Sequence, residues 1–402
     1  MNENVVQLLH ARRPAEDAPP SVSAVIPCLN EERTIAICIE KAQASFRAMD
    51  VAGEVIVADN GSTDRSVEIA EAHGARVLLE ARKGYGAALH CGITGARGRI
   101  IVMGDADDSY DWGAIEPFVR KVDEGYDLVM GNRFAGGILP GAMPPLHRYL
   151  GNPVLSAVAR LAFGVKIGDF HCGMRAFTRD AYARMCTQTT GMEFATEMVA
   201  SAAHQGLRVG EIPTKLYPDK RDRPPHLRSF RDGWRHLRFI LTYAPDYMYL
   251  APGLGMIAVG LVLQALLATG PIRVGSLYLG IHFLALGCLM TLAGLNVFNL
   301  GVLAKTIMAQ RYPAFRSRTA DWVRRSFSVE LGVVTGLAIA FIGTVIDALI
   351  LTHWLNAPGE PMESTVHPAF VATTMIVLGL NLLVNAFLLN LILSGAPGRP
   401  KS

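Results

Sequence analysis

The chain changes texture near residue 245. Before it, short apolar runs alternate with mixed, charged segments; beyond it, long apolar stretches follow one another. Val22-Ser23-Ala24-Val25-Ile26-Pro27 reads as a first strand, ended by proline, and Glu54 to Asp59 as a second. Ala75 to Leu79 and Arg99 to Gly104 read as the third and fourth. Helices are expected between them, from Asn30-Glu31-Glu32 to about Met49, from a cap at Thr63-Asp64 to about His73, and from Gly86 to Ala96. Strands alternating with helices imply an α/β domain built on a mostly parallel sheet with right-handed crossovers.

Roughly twenty apolar residues cross a bilayer. Four windows qualify, at about 248–269, 277–299, 331–354 and 369–393, and predict an all-α transmembrane domain of four helices over 247–394. The first window holds no charge, the third holds Asp347, and the fourth holds Asn381, Asn385 and Asn390. Lys305, Arg311, Arg316, Arg318, Arg324 and Arg325 cluster between the second and third windows, whereas the 355–368 loop has only Glu360 and Glu363 as charges. Basic loops stay inside, so the N-terminal domain and both termini are expected on the cytoplasmic side of the inner membrane. Just before the first window, Arg228, Arg231, Arg235 and Arg238 recur at helical spacing, with Leu227, Phe230, Trp234, Leu237 and Leu241 on the neighbouring arc. That pattern predicts an amphipathic interfacial helix over 226–246, its cations toward anionic headgroups.

Composition adds bounds. Of 402 residues half are apolar, and the formal net charge is +3. Residues 1–20 are polar and lack the apolar core of a signal peptide, so they read as a disordered tail, and 395–402 as a cytoplasmic tail. The six cysteines show no CxxC and no regular spacing, which indicates reduced thiols rather than zinc or a disulfide framework. No nucleic-acid partner is expected.

The candidate chemistry lies where strands end. Gly104-Asp105-Ala106-Asp107-Asp108 follows the apolar run Ile100-Ile101-Val102-Met103, so its carboxylates sit at the C-terminal end of a buried strand. Like charges one residue apart stabilise a loop poorly, but they suit a hard divalent cation that also binds substrate phosphates. Alone, such a motif is more often a solvated acidic turn than a metal site. Asn30-Glu31 follows the first strand and Asp59-Asn60 the second. In a parallel sheet these loops converge on one edge, an arrangement suited to a nucleotide whose diphosphate is neutralised by a metal. Lys83-Gly84-Tyr85-Gly86 lacks the full GxGxxG spacing, so a dinucleotide fingerprint is not supported.

Taken in order, Val25-Ile26-Pro27-x-Leu29-Asn30-Glu31-Glu32, Asp59-Asn60-Gly61-Ser62-Thr63-Asp64 and Asp105-Ala106-Asp107 resemble the family 2 glycosyltransferases of GT-A fold. Gly131-Asn132-Arg133, Asp169 to Phe177 and Gly191 to Met198 are similar to the branch that makes polyprenyl-phosphate sugars. The resemblance covers about residues 21–240, and the GT-A domain is expected over 21–225. Two departures stand out. Asn60 replaces the second aspartate usual before Gly-Ser, and Arg228-Ser229 stands where a Gly-x-Ser-Lys pattern is usual.

The resemblance implies inverting transfer of a hexose from a nucleotide-sugar to a polyprenyl phosphate, with a UDP-hexose favoured and GDP-mannose the second choice. It implies Asp105 and Asp107 as ligands of Mg²⁺ or Mn²⁺, and Pro27, Asn30, Glu31, Asp59 and Lys83 lining the donor pocket. Arg133, Arg148 and Arg175, with Arg228 and Ser229, are the candidates for the acceptor phosphate, since a guanidinium fork suits that anion. Asp107, Asp169 and Arg133 form the candidate catalytic set, with Asp169 either orienting an arginine or touching the acceptor. Membrane lipids are expected partners, and homo-oligomerisation stays open. The rival readings are glycosylation of a neutral lipid such as ceramide or diacylglycerol, with Asp169 as base, and a processive polysaccharide synthase. The latter needs a Gln-x-x-Arg-Trp motif, which Asp232-Gly233-Trp234-Arg235 does not match.

Overall fold

The computed structural model describes residues 20–220, 229–311, 318–356 and 363–394. The chain divides into two units, 1–240 and 241–402. The first unit is built on a seven-stranded sheet with strand order β3-β2-β1-β4-β6-β5-β7. Its strands are β1 (Val22–Cys28), β2 (Gly53–Asp59), β3 (Arg76–Leu79), β4 (Ile100–Met103), β5 (Leu128–Asn132), β6 (Arg175–Thr178) and β7 (Val209–Pro213). The first four strands are mutually parallel, β6 runs antiparallel to both β4 and β5, and β7 is parallel to β5.

Helices cover both faces, and the strands alternate accordingly. On one face Val22, Ala24, Ile26, Val55, Val57, Ile100 and Val102 pack in a core with α1 (Ile35–Ala48) and α4 (Glu116–Asp123). The other face receives α3 (Tyr85–Gly95), which lies against β1 and β2. Strands buried on both sides read as continuous apolar runs, which is why the sequence shows them plainly.

Boundaries moved for local reasons. β1 runs one residue past Pro27, to Cys28. The Val25 carbonyl faces β4, accepting from Gly104 N, so by the two-residue alternation Pro27 also faces that side, where pairing has already ended. Its missing N–H costs the ladder nothing. The first helix begins at Ile35 rather than Asn30, because Asn30 takes a left-handed φ of 58° and its Oδ1 accepts from Thr63 N at 2.7 Å. Asn30 thus ties two loops together instead of opening a helix. Likewise α2 (Ser66–Ala72) starts after Asp64, whose carboxylate accepts from Ser66 N and Oγ.

Further elements of this unit are a 3-10 turn at Trp112–Ala114, α5 (Arg133–Gly136), a π-helical turn His147–Gly151, α6 (Asn152–Phe163), α7 (Arg179–Met185) and α8 (Phe194–His204). α9 (Ser229–Tyr243) stands where an interfacial helix was expected. Trp234 on it is exposed, whereas His236, Phe239 and Ile240 are buried. His236 Nδ1 lies 2.8 Å from Thr196 Oγ1 of α8, so one side of α9 is anchored on the domain.

Among its described residues the second unit contains four helices long and apolar enough to cross a membrane, Asp246–Leu267, Ile281–Gln310, Val329–Asn356 and Thr365–Ser394. They lie within α10 (Ala251–Leu267) with its preceding π-helical turn, α11 (Ile281–Arg311), α13 (Val329–Asn356) and α14 (Glu363–Ser394). A short hairpin, β8 (Ile272–Val274) with β9 (Leu277–Leu279), joins the first pair, and α12 (Arg318–Ser326) precedes the second. α10 pairs with α11 and α13 with α14. α10 and α11 approach closely at Gly260, where a Cβ would meet Thr291 Oγ1 at 2.3 Å and the Gly287 carbonyl at 2.6 Å. Gln264 donates to Thr291 Oγ1 at 2.6 Å in the same contact. Small residues and a polar pair are what hold helices together where lipid removes the hydrophobic drive.

Candidate active site

The order β2-β1-β4 places the C-terminal ends of three parallel strands side by side, and with them the loops 59–64, 29–34 and 104–110. Asp59 is buried at the end of β2, its carboxylate accepting from Gly61 N at 2.9 Å and from Ser62 N. Ser62 Oγ in turn accepts from Asn30 N at 2.8 Å, and Ser66 Oγ accepts from Glu31 N at 2.7 Å. Asp59, Asn30 and Glu31 therefore belong to one hydrogen-bonded edge, with Pro27 in the strand below.

Asn60 has a specific reason to be an amide. Its Nδ2 donates to the Glu80 and Arg82 carbonyls at 3.1 and 2.7 Å, while its Oδ1 accepts from Gly84 N at 2.7 Å. A carboxylate could make only the last of these bonds. Lys83 Nζ donates to the Asn60 carbonyl at 2.8 Å, which sets Lys83 beside the same loop. On its far side the 83–86 loop is held by the 187–191 segment, since Ala87 N donates to the Thr190 carbonyl. Glu197 braces that segment by accepting from Gln188 N, Thr189 N and Thr189 Oγ1.

The carboxylates after β4 have different surroundings. Asp105 Oδ1 accepts from Tyr85 OH at 3.0 Å, and its carbonyl accepts from the fully buried Trp112 indole at 3.0 Å. Burial, and then the Asp105 charge, hold the Tyr85 hydroxyl well above its usual pKa, so it remains a donor. Gly173, from the loop before β6, lets this carboxylate come close, because a Cβ there would lie 2.6 Å from Asp105 Oδ2. Asp107 is buried and accepts from Ser109 N at 3.1 Å and Ser109 Oγ at 2.5 Å. Asp108 takes a left-handed φ of 58° and turns away, held by Lys41 and Lys220, each at 2.6 Å. Of three consecutive-looking acids, one is thus neutralised by lysines and two remain at the strand end. The sequence signal for this was the crowding of like charges itself, but the distant partners Lys41 and Lys220 carried none.

Among the described residues no three His, Cys, Asp or Glu side chains gather as a metal cluster. The Asp105–Asp107 pair offers oxygen donors only, which fits a hard divalent cation completing its shell with donor phosphates and water.

Beside β4 lies the cationic half. Arg133, at the end of β5, forms a bidentate pair with Asp169, Nε to Oδ2 at 2.6 Å and Nη2 to Oδ1 at 2.8 Å. Both partners are buried, Asp169 completely. Arg175 is fully buried, and its guanidinium donates to the carbonyls of Cys172, Ala195 and Phe170. It knits the loop before β6 to α8, and those three bonds occupy Nε, Nη1 and Nη2. Arg148, on the π-helical turn, is half-buried, with Nη1 3.4 Å from the Ile138 carbonyl. Ser229 is the first residue of α9, and Arg228 lies outside the described residues.

Two further groups occupy this corner. Burial, reinforced by His236, Arg133 and Arg175, holds His171 neutral, its pKa well below 6.5, and neither ring nitrogen has a partner among the described residues. Its ring meets that of His236 edge to face at 4.8 Å. Burial also pushes the Cys172 thiol up to about 12, which leaves it inert as a nucleophile.

Comparison with known proteins agrees with this architecture. The model of glycosyl transferase family 2 matches residues 23–186, and that of the glycosyltransferase family 2 C-terminal transmembrane region matches 302–393. The low-salt glycan biosynthesis hexosyltransferase Agl6 of Haloferax volcanii is 39% identical over 93% of this chain and 89% of its own length. A dolichyl-phosphate hexose transferase of the same organism is 31% identical over 48% of this chain and 81% of its own. The undecaprenyl-phosphate 4-deoxy-4-formamido-L-arabinose transferase of Pectobacterium atrosepticum is 30% identical over 41% of this chain and 51% of its own. Among solved structures, glucosyl-3-phosphoglycerate synthase of Mycobacterium tuberculosis, in complex with Mn²⁺ and UDP, overlaps 56% of this chain and 78% of its own with a TM-score of 0.43 and 23% identity. A hexosyltransferase matched along nearly the whole chain, and two models met in their proper order, make the conclusion direct: the chain is a membrane protein that belongs to glycosyltransferase family 2.

Proposed function

We propose that the chain transfers a hexose, with inversion, from a nucleotide-sugar to a polyprenyl phosphate at the cytoplasmic face of the membrane. A UDP-hexose is the first donor to test and GDP-mannose the second. The observation that carries this reading is the convergence of Asp59, of Asn30 with Glu31, and of Asp105 with Asp107 at the C-terminal ends of the adjacent strands β2, β1 and β4, on the same sheet as the Arg133–Asp169 pair, which joins the end of β5 to the loop before β6. The prenyl-phosphate acceptor draws support from the dolichyl-phosphate and undecaprenyl-phosphate transferases among the relatives.

In this reading Asp59, Asn30 and Glu31 receive the base and ribose, with Pro27 and Lys83 lining the same pocket. Asp105 and Asp107 hold Mg²⁺ or Mn²⁺, which when bound neutralises charge on the donor diphosphate and on the nucleoside diphosphate that leaves. The attacking atom is an acceptor phosphate oxygen, already anionic at neutral pH, so no general base is needed. It bonds to the anomeric carbon as the bond to the diphosphate oxygen breaks on the opposite face. Two anions must be brought together, and cations do that. The grip of Asp169 on Nε and Nη2 of Arg133 supports a role in which Arg133 is fixed in orientation and offers Nη1 to the acceptor phosphate. Arg148, Arg228 and Ser229 complete that set, and Arg175 contributes by fixing the loop that carries Asp169 and Gly173.

The decisive assay uses the purified full-length chain, undecaprenyl phosphate, Mg²⁺ or Mn²⁺, and a panel of UDP- and GDP-sugars. Lipid-linked sugar is expected, and Asp107→Asn should abolish it while the protein stays folded. Product formed only on ceramide or diacylglycerol would overturn the proposal.

A further inference from the structure

Apart from Arg160, its one charged residue, α6 is apolar over most of its circumference, yet only one side of it is covered. Ser156, Ala159 and Phe163, three and four residues apart, are buried against the domain. The opposite side carries Val154, Ala157 and Leu161, again three and four apart, and all three are exposed, Val154 at 49% and Leu161 at 63%. Leu146 and Leu150, at 44% and 57%, continue the stripe through the π-helical turn. A contiguous exposed apolar stripe beside a cation is the mark of a surface that meets a membrane or a partner, and five apolar side chains stand in register here.

The charge around the stripe selects the occupant. From Leu128 to Gly168 there is no aspartate or glutamate, while Arg148, Arg160 and Lys166 supply cations, Arg133 being buried against Asp169. Arg160 and Lys166 are exposed, and they rim a hollow of about 560 Å³ whose floor is Leu161, Val165 and Ile167. An apolar floor inside a cationic rim matches a phospholipid, with acyl chain below and anionic headgroup above. A protein partner of ordinary surface would meet unpaired cations here.

We infer that this face of α6 and its preceding turn is a second membrane-contact surface, carried by the catalytic domain itself, which inserts Leu150, Val154 and Leu161 among lipid acyl chains and sets Arg160 and Lys166 on anionic headgroups. Its residues belong neither to the apolar helices of the second unit nor to α9. The inference concerns where the domain touches lipid and holds whatever the acceptor is.

The test uses the full-length chain reconstituted in vesicles of phosphatidylethanolamine and phosphatidylglycerol. Leu150→Cys, Val154→Cys and Leu161→Cys are made one at a time in a Cys186→Ser background and labelled with bimane, and Leu79→Cys, at 73% exposure on β3, serves as the water-facing reference. Brominated lipid should quench the three stripe labels about twofold or more and leave Leu79 bright, and aqueous iodide should do the reverse. Adding Val154→Glu and Leu161→Glu should release the label at 150 to iodide. Iodide quenching at the stripe in the unmutated background would overturn the inference, because the face would then be bare. Shielding from both quenchers would overturn it as well, by showing a protein cover from this chain or a second copy. Neither readout depends on transferase activity, so the two proposals fail separately.

Discussion

Asn60 departs from the pattern of the family, and its bonds explain the departure. Its amide donates to two backbone carbonyls that lock the loop carrying Lys83. Asn60→Asp should therefore lower stability by about 1–3 kcal/mol, the cost of a polar group facing acceptors without a donor, and weaken nucleotide-sugar binding. A denaturant midpoint and a donor titration on the same protein would check both. His171 gives a prediction in pH. Its folded pKa lies well below the ordinary 6.5, so below pH 6.5 the unfolded chain binds a proton that the folded chain refuses. Stability should then fall as pH drops from 6.5, by up to about 1.4 kcal/mol per unit for this one group, and be flat above it. Melting curves of wild type and His171→Gln between neutral and mildly acidic pH should show the shallower slope in the variant; equal slopes would sink the argument. At this scale the sequence singled out Asp105 and Asp107 as candidates, because two acids one residue apart at the end of an apolar run repel each other and stabilise a loop poorly. It could not expose Lys41 and Lys220 as the counter-charges of Asp108, since partners 67 and 112 residues away leave no local trace.

At the scale of elements, strands β1, β2 and β4 were readable because burial on both faces makes them unbroken apolar runs. β6 was not. It is four residues long, begins with the buried Arg175, and owes its reversed direction to the path of the chain rather than to any pattern within it. The four long apolar helices were legible from length and charge alone, but their pairing was not. α10 and α11 pair through Gly260 and Gly287 with Thr291 and Gln264, small and polar residues that hydropathy passes over. Gly260→Leu should drive a side chain into Thr291 and the Gly287 backbone and destabilise that hairpin by about 1–3 kcal/mol. Thermal unfolding in detergent would detect it, and Gly255→Leu, where a Cβ meets nothing within 4 Å, is the matched control.

For the whole molecule, the division at residue 240 separates a domain whose chemistry follows from strand ends and a unit whose character follows from apolar length. Six Lys or Arg from 305 to 325, at the end of α11 and in the segment before α13, predict that this side of the second unit faces the cytoplasm. A fluorescent protein fused at the C-terminus should fold and fluoresce, and a periplasmic phosphatase fused there should stay inactive. The opposite pair of results would invert the orientation and place the donor site on the wrong side of the membrane for a cytoplasmic nucleotide-sugar.

The reversal of β6 has a further consequence. Because β5 and β6 are antiparallel neighbours, Gly131 N meets the Met174 carbonyl at 3.0 Å, and everything from Arg133 to Met174 leaves the sheet and returns to the same place. Asp169, Arg148 and the apolar stripe of α6 all lie on that excursion, while Asp59, Asp105 and Asp107 do not. On the proposed division of roles, exchanging residues 133–172 for the matching stretch of a relative should change acceptor preference while Asp59, Asp105 and Asp107 stay in place, provided the host keeps Gly173, which lets the Asp105 carboxylate approach, and the Gly131–Met174 hydrogen bond beside it.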